Sequence, residues 1–139
     1  MLSSLLPSIQ YGFLPFFLSC TAVQDLLNST VAYVAPIESL EQFSGPQAPD
    51  KSPLLAHIYG MKIVYTGLIQ IYAAYHITNK GTYDLAIATL IGTVILYISE
   101  CFVWKTVGVR QAVFRSVMAG LGLIWMIMER DAYTGVQVT

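Results

Sequence analysis

Apolar positions fall into four runs that take up almost the whole chain, at about residues 13–35, 55–77, 83–104 and 112–128. A bilayer's hydrocarbon core asks for about 20 mostly apolar residues per helix, a length that three runs reach and the fourth approaches. Helices that are apolar all round are expected in lipid rather than in water. The pattern therefore predicts an all-α, polytopic membrane protein, a single domain over residues 1–139 built as a four-transmembrane-helix bundle. Gly12-Phe13-Leu14-Pro15 opens the first run, with proline in the first turn where its missing N–H costs little. The stretch 36–54 carries Glu38, Glu41, Asp50, Pro46 and Pro49 and is expected to be an irregular, mobile loop. A tight turn around Asn79-Lys80-Gly81 makes the second and third runs antiparallel neighbours, a second short turn spans 104–111, and residues 129–139 form a polar tail. Nothing basic precedes the first run beyond the α-amino group, and the run exceeds the roughly 7 to 15 residues of a signal-peptide core, so a retained helix is expected.

Composition and charge narrow the function classes. Of 139 residues 55% are hydrophobic and 11% charged, and seven Lys+Arg stand against eight Asp+Glu. No basic excess is available to hold nucleic acid, and membrane lipids are the expected surroundings. Two histidines, His57 and His76, cannot supply the metal sets of membrane hydroxylases or desaturases. No G-x-G-x-x-G follows a strand, and Gly120-Leu121-Gly122 inside an apolar run reads as packing. No metal and no cofactor are expected. Cys20 and Cys101 lie within apolar runs and read as buried packing thiols, while Asn28-Ser29-Thr30 is a sequon in mid-helix, where no glycosylating enzyme reaches. Lys51, Lys105, Arg110 and Arg115 on one face against Lys80 and Arg130 on the other favour termini outside the cytosol.

Chemistry, if any, belongs where polar groups enter the hydrocarbon. Asp25 sits in the middle of the first run, where an ionised carboxylate costs about 2.5 to 3.5 kcal/mol on an insertion scale, so it must be neutral or paired. Counted from the shared loop, Asp25 and Lys62 lie at depths of about 15 and 11 Å, within reach of each other. Glu100 and Arg115 fall on the same side. Asp25, Asn28, Lys62, Glu100 and Arg115 thus form a candidate intramembrane polar cluster, with Asp25 pairing Lys62 and Glu100 pairing Arg115. The alternatives are that Lys62 and Glu100 snorkel to the interface while Asp25 stays neutral, or that the groups mark a ligand or proton pathway. Gln24, Asp25, Asn28 and Ser29 form one polar face, and Thr93, Tyr97, Glu100 and Trp104 another; both are expected to point inward. Ser116 with Gly120 and Ala88 with Gly92 offer small-xxx-small spacings for close helix approach. Tyr65, Tyr72 and Tyr75 read as interface belts or helix contacts.

Ser99-Glu100-Cys101-Phe102-Val103, then Leu123-Ile124-Trp125-Met126 and Glu129-Arg130-Asp131-Ala132-Tyr133-Thr134-Gly135-Val136, resemble the ergosterol biosynthetic protein 28 family. The resemblance extends from Gly12-Phe13-Leu14-Pro15 through Asn28, Tyr59-Gly60 and Tyr72-Ala73-Ala74-Tyr75 to the tail. It departs at His57 and Gln70, where the family carries arginine, near Lys62, where it carries tryptophan, and at Leu96, where it carries histidine.

What the resemblance implies is a non-catalytic, multi-pass endoplasmic reticulum protein that tethers the sterol C-4 methyl oxidase, decarboxylating dehydrogenase and ketoreductase. The departures leave open a divergent copy serving a related sterol-like or terpenoid pathway, and a homo-oligomer is a further partner to consider. Ser99, Glu100, Trp125, Tyr133, Thr134 and Gly135 become the partner-contact candidates, by resemblance. The competing class is a small membrane isomerase or lyase acting on a sterol or terpenoid, with Asp25 or Glu100 as the acid or base. A transporter is disfavoured, because the ionisable groups crowd one leaflet.

Overall fold

In the computed structural model, which describes residue 7 and residues 12–134, the chain is helical throughout. Its elements are α1 (Leu14–Val34), α2 (Pro36–Ser39), α3 (Pro53–Tyr75), α4 (Lys80–Phe102) and α5 (Val109–Thr134), with no strand among the described residues. The boundaries follow local chemistry. The Ser52 hydroxyl accepts from the Leu55 N–H at 3.2 Å ahead of Pro53, starting α3 two residues before the apolar run. Asn79 caps α4 in the same way through the Thr82 N–H at 3.2 Å, so Lys80 to Thr82 are helical rather than turn.

Helices α3, α4 and α5 are long and apolar enough to cross a membrane. Their outward faces carry Leu85, Ile91, Ile95 and Phe102 on α4 and Phe114, Leu121, Ile124 and Met128 on α5, all exposed, an apolar surface suited to lipid. The fold is thus an all-α membrane protein. With 21 residues α1 is long enough too, but Gln24, Asp25 and Asn28 in its middle keep it outside that set, so three spans rather than four stand on hydropathy alone.

Two helix pairs make the bundle. In the first, α1 and α3 run antiparallel along an unusually close seam: Ala56, Gly60, Ile63, Gly67, Gln70 and Ala74 are the buried face of α3, at alternating spacings of three and four. A Cβ on Gly60 would lie 2.9 Å from the Ala32 Cβ, and one on Gly67 3.2 Å from the Ala22 carbonyl oxygen. Glycine is what lets the backbones meet. In the second pair, α4 packs on α5 through larger groups, with Tyr83, Leu90 and Met126 buried together and the Tyr83 hydroxyl donating to the Met126 carbonyl at 2.5 Å. Gly122 is the one close approach there, meeting the Phe17 ring of α1.

Four expectations change. The spacings Ala88/Gly92 and Ser116/Gly120 do not bring helices of this chain together, since a Cβ on Gly92 or Gly120 would meet nothing within 4 Å. Residues 129–134 are not a tail: α5 continues through them, because Arg130 is paired across to Asp84, Tyr133 stacks on Tyr83 and the Thr134 hydroxyl donates to the Arg130 carbonyl at 2.6 Å. The loop 36–54 begins with the α2 turn and is then irregular, but it is tied down. Gly45 N–H donates to the Thr106 carbonyl and Gln47 N–H to the Lys105 carbonyl, both at 3.0 Å, while Gly108 N–H donates to the Gln42 carbonyl at 3.1 Å. A Cβ on Gly45 would overlap the Lys105 carbonyl, and Lys105 itself takes a left-handed backbone (φ 56°) to complete the join. The α1–α3 and α4–α5 connections therefore lie at the same end of the bundle. Cys101 is buried as expected, whereas Cys20 is exposed.

Candidate functional site

Polar side chains inside the bundle gather at three levels. At the centre, Gln70 of α3 is 2% exposed and bridges three helices: its Oε1 accepts from the Thr21 hydroxyl of α1 at 2.7 Å and its Nε2 donates to the Thr89 hydroxyl of α4 at 3.3 Å. A buried amide satisfied on both sides fixes the rotation of each helix it touches. Nothing in the hydropathy pattern marked Gln70, because a single amide in an apolar run is ambiguous between lipid, partner and core.

Next to Gln70 lies a cavity of about 110 Å³ between α1, α3, α4 and α5, into which Thr21, Gln24, Asp25, Thr93 and Arg115 also project. Asp25 is half-buried against Gly67, whose absent side chain makes the room. The Arg115 guanidinium lies 6.0 Å from the centre of the Tyr97 ring, a cation–π distance. Asp25 and Arg115 share this cavity without an N···O contact within 4.0 Å between them.

At the loop end, Tyr97 is buried and its hydroxyl meets that of Tyr59 at 2.9 Å and donates to the Gln42 side-chain oxygen at 3.0 Å. Phe43 packs edge-on against Tyr59, 5.2 Å between ring centres. Glu100 closes this end: its carboxylate accepts from the Thr106 hydroxyl, and its carbonyl from the Thr106 N–H at 2.8 Å. Glu100 thus fastens the end of α4 to the loop and is not paired with Arg115.

The five predicted cluster residues divide accordingly. Asp25 and Arg115 come together; Glu100 and Asn28 do not join them, the Asn28 Nδ2 being buried without a hydrogen-bond partner among the described residues. Lys62 is exposed on the outer face, lining a shallow apolar groove of about 630 Å³ with Tyr33, His57, Met61 and Tyr65, and makes no ion pair with Asp25. His57 stacks flat on Tyr33, ring centres 4.6 Å apart. The ion pair present among the described residues is one the sequence did not single out: Arg130 Nε to Asp84 Oδ1 at 2.8 Å and Nη2 to Oδ2 at 3.0 Å, a bidentate clasp between α5 and α4 at the opposite end. The matching depths of Asp84, four residues into α4, and Arg130, four from the end of α5, were the signal available.

Of the two polar stripes, Thr93, Tyr97 and Ser29 point inward, while Gln24 is exposed and Trp104 lies beyond α4 and is 62% exposed. Tyr65, Tyr72 and Tyr75 face outward. Among the partner-contact candidates, Ser99 donates to the Leu96 carbonyl at 3.0 Å, Trp125 stands over Phe17 at 5.7 Å and is 36% exposed, and Thr134 is buried. Tyr133 is half-buried against Tyr83, and Gly135 lies outside the described residues. No group of three or more His, Cys, Asp or Glu capable of holding a metal occurs among the described residues.

Comparison with known proteins places the chain in a family. The family described as Erg28 like protein matches residues 14–124, from the first residue of α1 to the middle of α5. A Candida albicans protein named ergosterol biosynthetic protein 28 is 26% identical over 131 residues, covering 94% of each chain. Proteins of the same name are 22% identical over 132 residues in Saccharomyces cerevisiae (94% of this chain, 89% of that one) and 36% identical over 91 residues in Gibberella zeae (63% and 53%). No solved structure matches. With the family pattern covering α1 to the middle of α5 and relatives aligned nearly end to end, the chain belongs to the Erg28 family.

Proposed function

We propose that this protein is a non-catalytic scaffold of the endoplasmic reticulum membrane that tethers the enzymes of sterol C-4 demethylation, a methyl oxidase, a decarboxylating dehydrogenase and a ketoreductase, or their counterparts in a related terpenoid pathway. Family membership carries the reading, since the relatives are named for ergosterol biosynthesis. In this reading α1 is the fourth span: Asp25, Asn28 and Ser29 lie on or beside the seam with α3 and are partly or fully buried, even though the helix is less apolar than the others.

The architecture suits tethering. Outward faces rich in apolar side chains offer contact to other membrane helices, and the groove around Lys62 adds a single cation in an apolar setting, where a carboxylate on a partner's helix is the complementary group. Holding successive enzymes side by side raises the effective concentration of each for its neighbour without new chemistry. Glu100, Ser99 and Thr134 contribute by shaping the bundle, and Trp125 and Lys62 are the contact positions.

Purification in mild detergent followed by mass spectrometry tests this. Co-purification of sterol C-4 enzymes, reduced by Lys62→Leu, is the expected result; recovery of the protein alone overturns it. One observation favours a second reading, an isomerase or lyase: Asp25 and Arg115 line one cavity. That reading predicts turnover of a sterol or terpenoid by the purified protein, abolished by Asp25→Asn. Glu100, engaged with Thr106 at the helix end, is the weaker acid–base candidate.

A further inference from the structure

We infer that the cavity beside Asp25 and Arg115 is a binding site for the hydroxyl end of a membrane lipid that enters sideways between α1 and α5. The inference concerns a ligand of the bundle itself and stands whether or not tethering does. It starts from the way the helix pairs meet. Helices α1 and α5 touch only sparingly, so the cavity's wall on that side is formed by Phe17, Phe114 and Met118, the last two being 62% and 45% exposed. Such a mouth opens onto acyl chains rather than onto water.

Inside, the polar equipment is mixed in sign. A carboxylate on α1 and a guanidinium on α5 share the space without contacting one another. An anionic headgroup would meet Asp25, and a cationic amine would meet Arg115. A neutral hydroxyl suits both, donating to the carboxylate and accepting from the guanidinium. Thr21, Gln24 and Thr93 supply further polar edges. Size agrees: a cavity of about 110 Å³ has room for a hydroxyl and its adjoining carbons. The rest of the lipid would lie along Phe114 and Met118 in the bilayer.

Sterols and diacylglycerols share this chemistry, and the test separates them. Full-length protein in nanodiscs of dioleoylphosphatidylcholine is titrated with tritiated ergosterol, with 1,2-dioleoylglycerol as competitor. Saturable binding is expected. The 3-O-methyl ether of ergosterol, which cannot donate, should bind roughly ten- to a hundredfold more weakly. Displacement by dioleoylglycerol at equal concentration identifies a general hydroxyl site; failure to displace identifies a sterol site, and both sustain the inference. Asp25→Asn and Arg115→Gln should each weaken binding about tenfold or more. Should those variants fold poorly, photocrosslinking of wild-type protein with a diazirine-bearing sterol gives an independent readout, with labelled peptides expected from residues 17–25 and 114–119. Binding of the ether as tight as that of the alcohol, uptake that never saturates, or labels confined to other faces each overturn the inference. So do well-folded variants that bind ergosterol normally.

Discussion

The α1–α3 seam and the α4–α5 seam are both antiparallel contacts of about twenty residues, yet they are held by different means. Along the first, Gly60 and Gly67 let backbones approach until a Cβ on Gly67 would lie 3.2 Å from the Ala22 carbonyl oxygen. Along the second, bulk fills the gap: Tyr83, Leu90 and Met126 interlock, and polar bonds from Tyr83 and Arg130 finish the ends. In lipid there is no water to expel between helices, so association depends on packing and on hydrogen bonds rather than on apolar area. The first pair relies chiefly on close backbone approach, with Thr21 bonded to Gln70 across it, and the second on bulk with bonds towards its ends. The difference also explains the cavity, since a tightly drawn α1 leaves space on its far side that the bulkier pair does not close.

The sharpest way to break this comparison is to give the close seam a side chain. Gly67→Leu should destabilise the bundle by about 1–3 kcal/mol, because the new group meets the Ala22 backbone, which cannot move aside without separating the helices. Gly120→Leu, where nothing lies within 4 Å, should stay within about 0.5 kcal/mol of wild type. Thermal unfolding in dodecyl maltoside, read by circular dichroism, compares the two. Equal effects would mean that the glycines of α3 are incidental.

A smaller loss is expected from Tyr83→Phe on the other seam, about 1–1.5 kcal/mol, since it removes the buried bond by which the Tyr83 hydroxyl ties α4 to the Met126 carbonyl of α5. The same unfolding assay serves. Tyr83→Phe exceeding Gly67→Leu would reverse the assignment of packing to one pair and bonding to the other.

Much of this fold was legible in the chain. Apolar runs located the four long helices, the last of them cut six residues short at its end, because lipid demands length and composition directly. Their ends were less readable: Asn79 reads equally as a turn residue or as a cap, and Arg130 as a tail charge or as half of an ion pair. The pattern of small residues misled for a similar reason. Ala88/Gly92 and Gly60/Gly67 look alike in sequence, and only the rotation of each helix decides which face the chain itself covers. The candidate site was half legible. Depth along the helices brought Asp25 and Arg115 to the same leaflet, but the angular positions that send Lys62 outward and Glu100 to Thr106 depend on packing at Gly67 and on the loop around Gly45.

Gln70 offers a test at the place where the two pairs are joined. Gln70→Leu removes the bonds to Thr21 and Thr89 while keeping volume, and should cost about 0.6–1.7 kcal/mol, the range found for interhelical side-chain bonds in a membrane. The loss should be non-additive with Thr21→Val, since both remove one bond. Strict additivity in the double-mutant cycle would show that the amide does not connect α1 to α3.

The smallest effect belongs to the ion pair that closes the α4–α5 seam. Asp84 and Arg130 form a bidentate clasp, but their side chains remain 45% and 33% exposed, so solvent and salt weaken their attraction. Asp84→Asn keeps the shape and removes the charge. Its melting temperature at low ionic strength should fall less than that of Tyr83→Phe, and the difference from wild type should vanish near 1 M sodium chloride, where the screening length is about 3 Å. A drop that survives high salt would mean that the clasp acts through geometry, positioning the last turns of α5, rather than through charge. In that case Arg130→Lys, which keeps the charge and gives up the two-pronged contact, should be as damaging as Asp84→Asn.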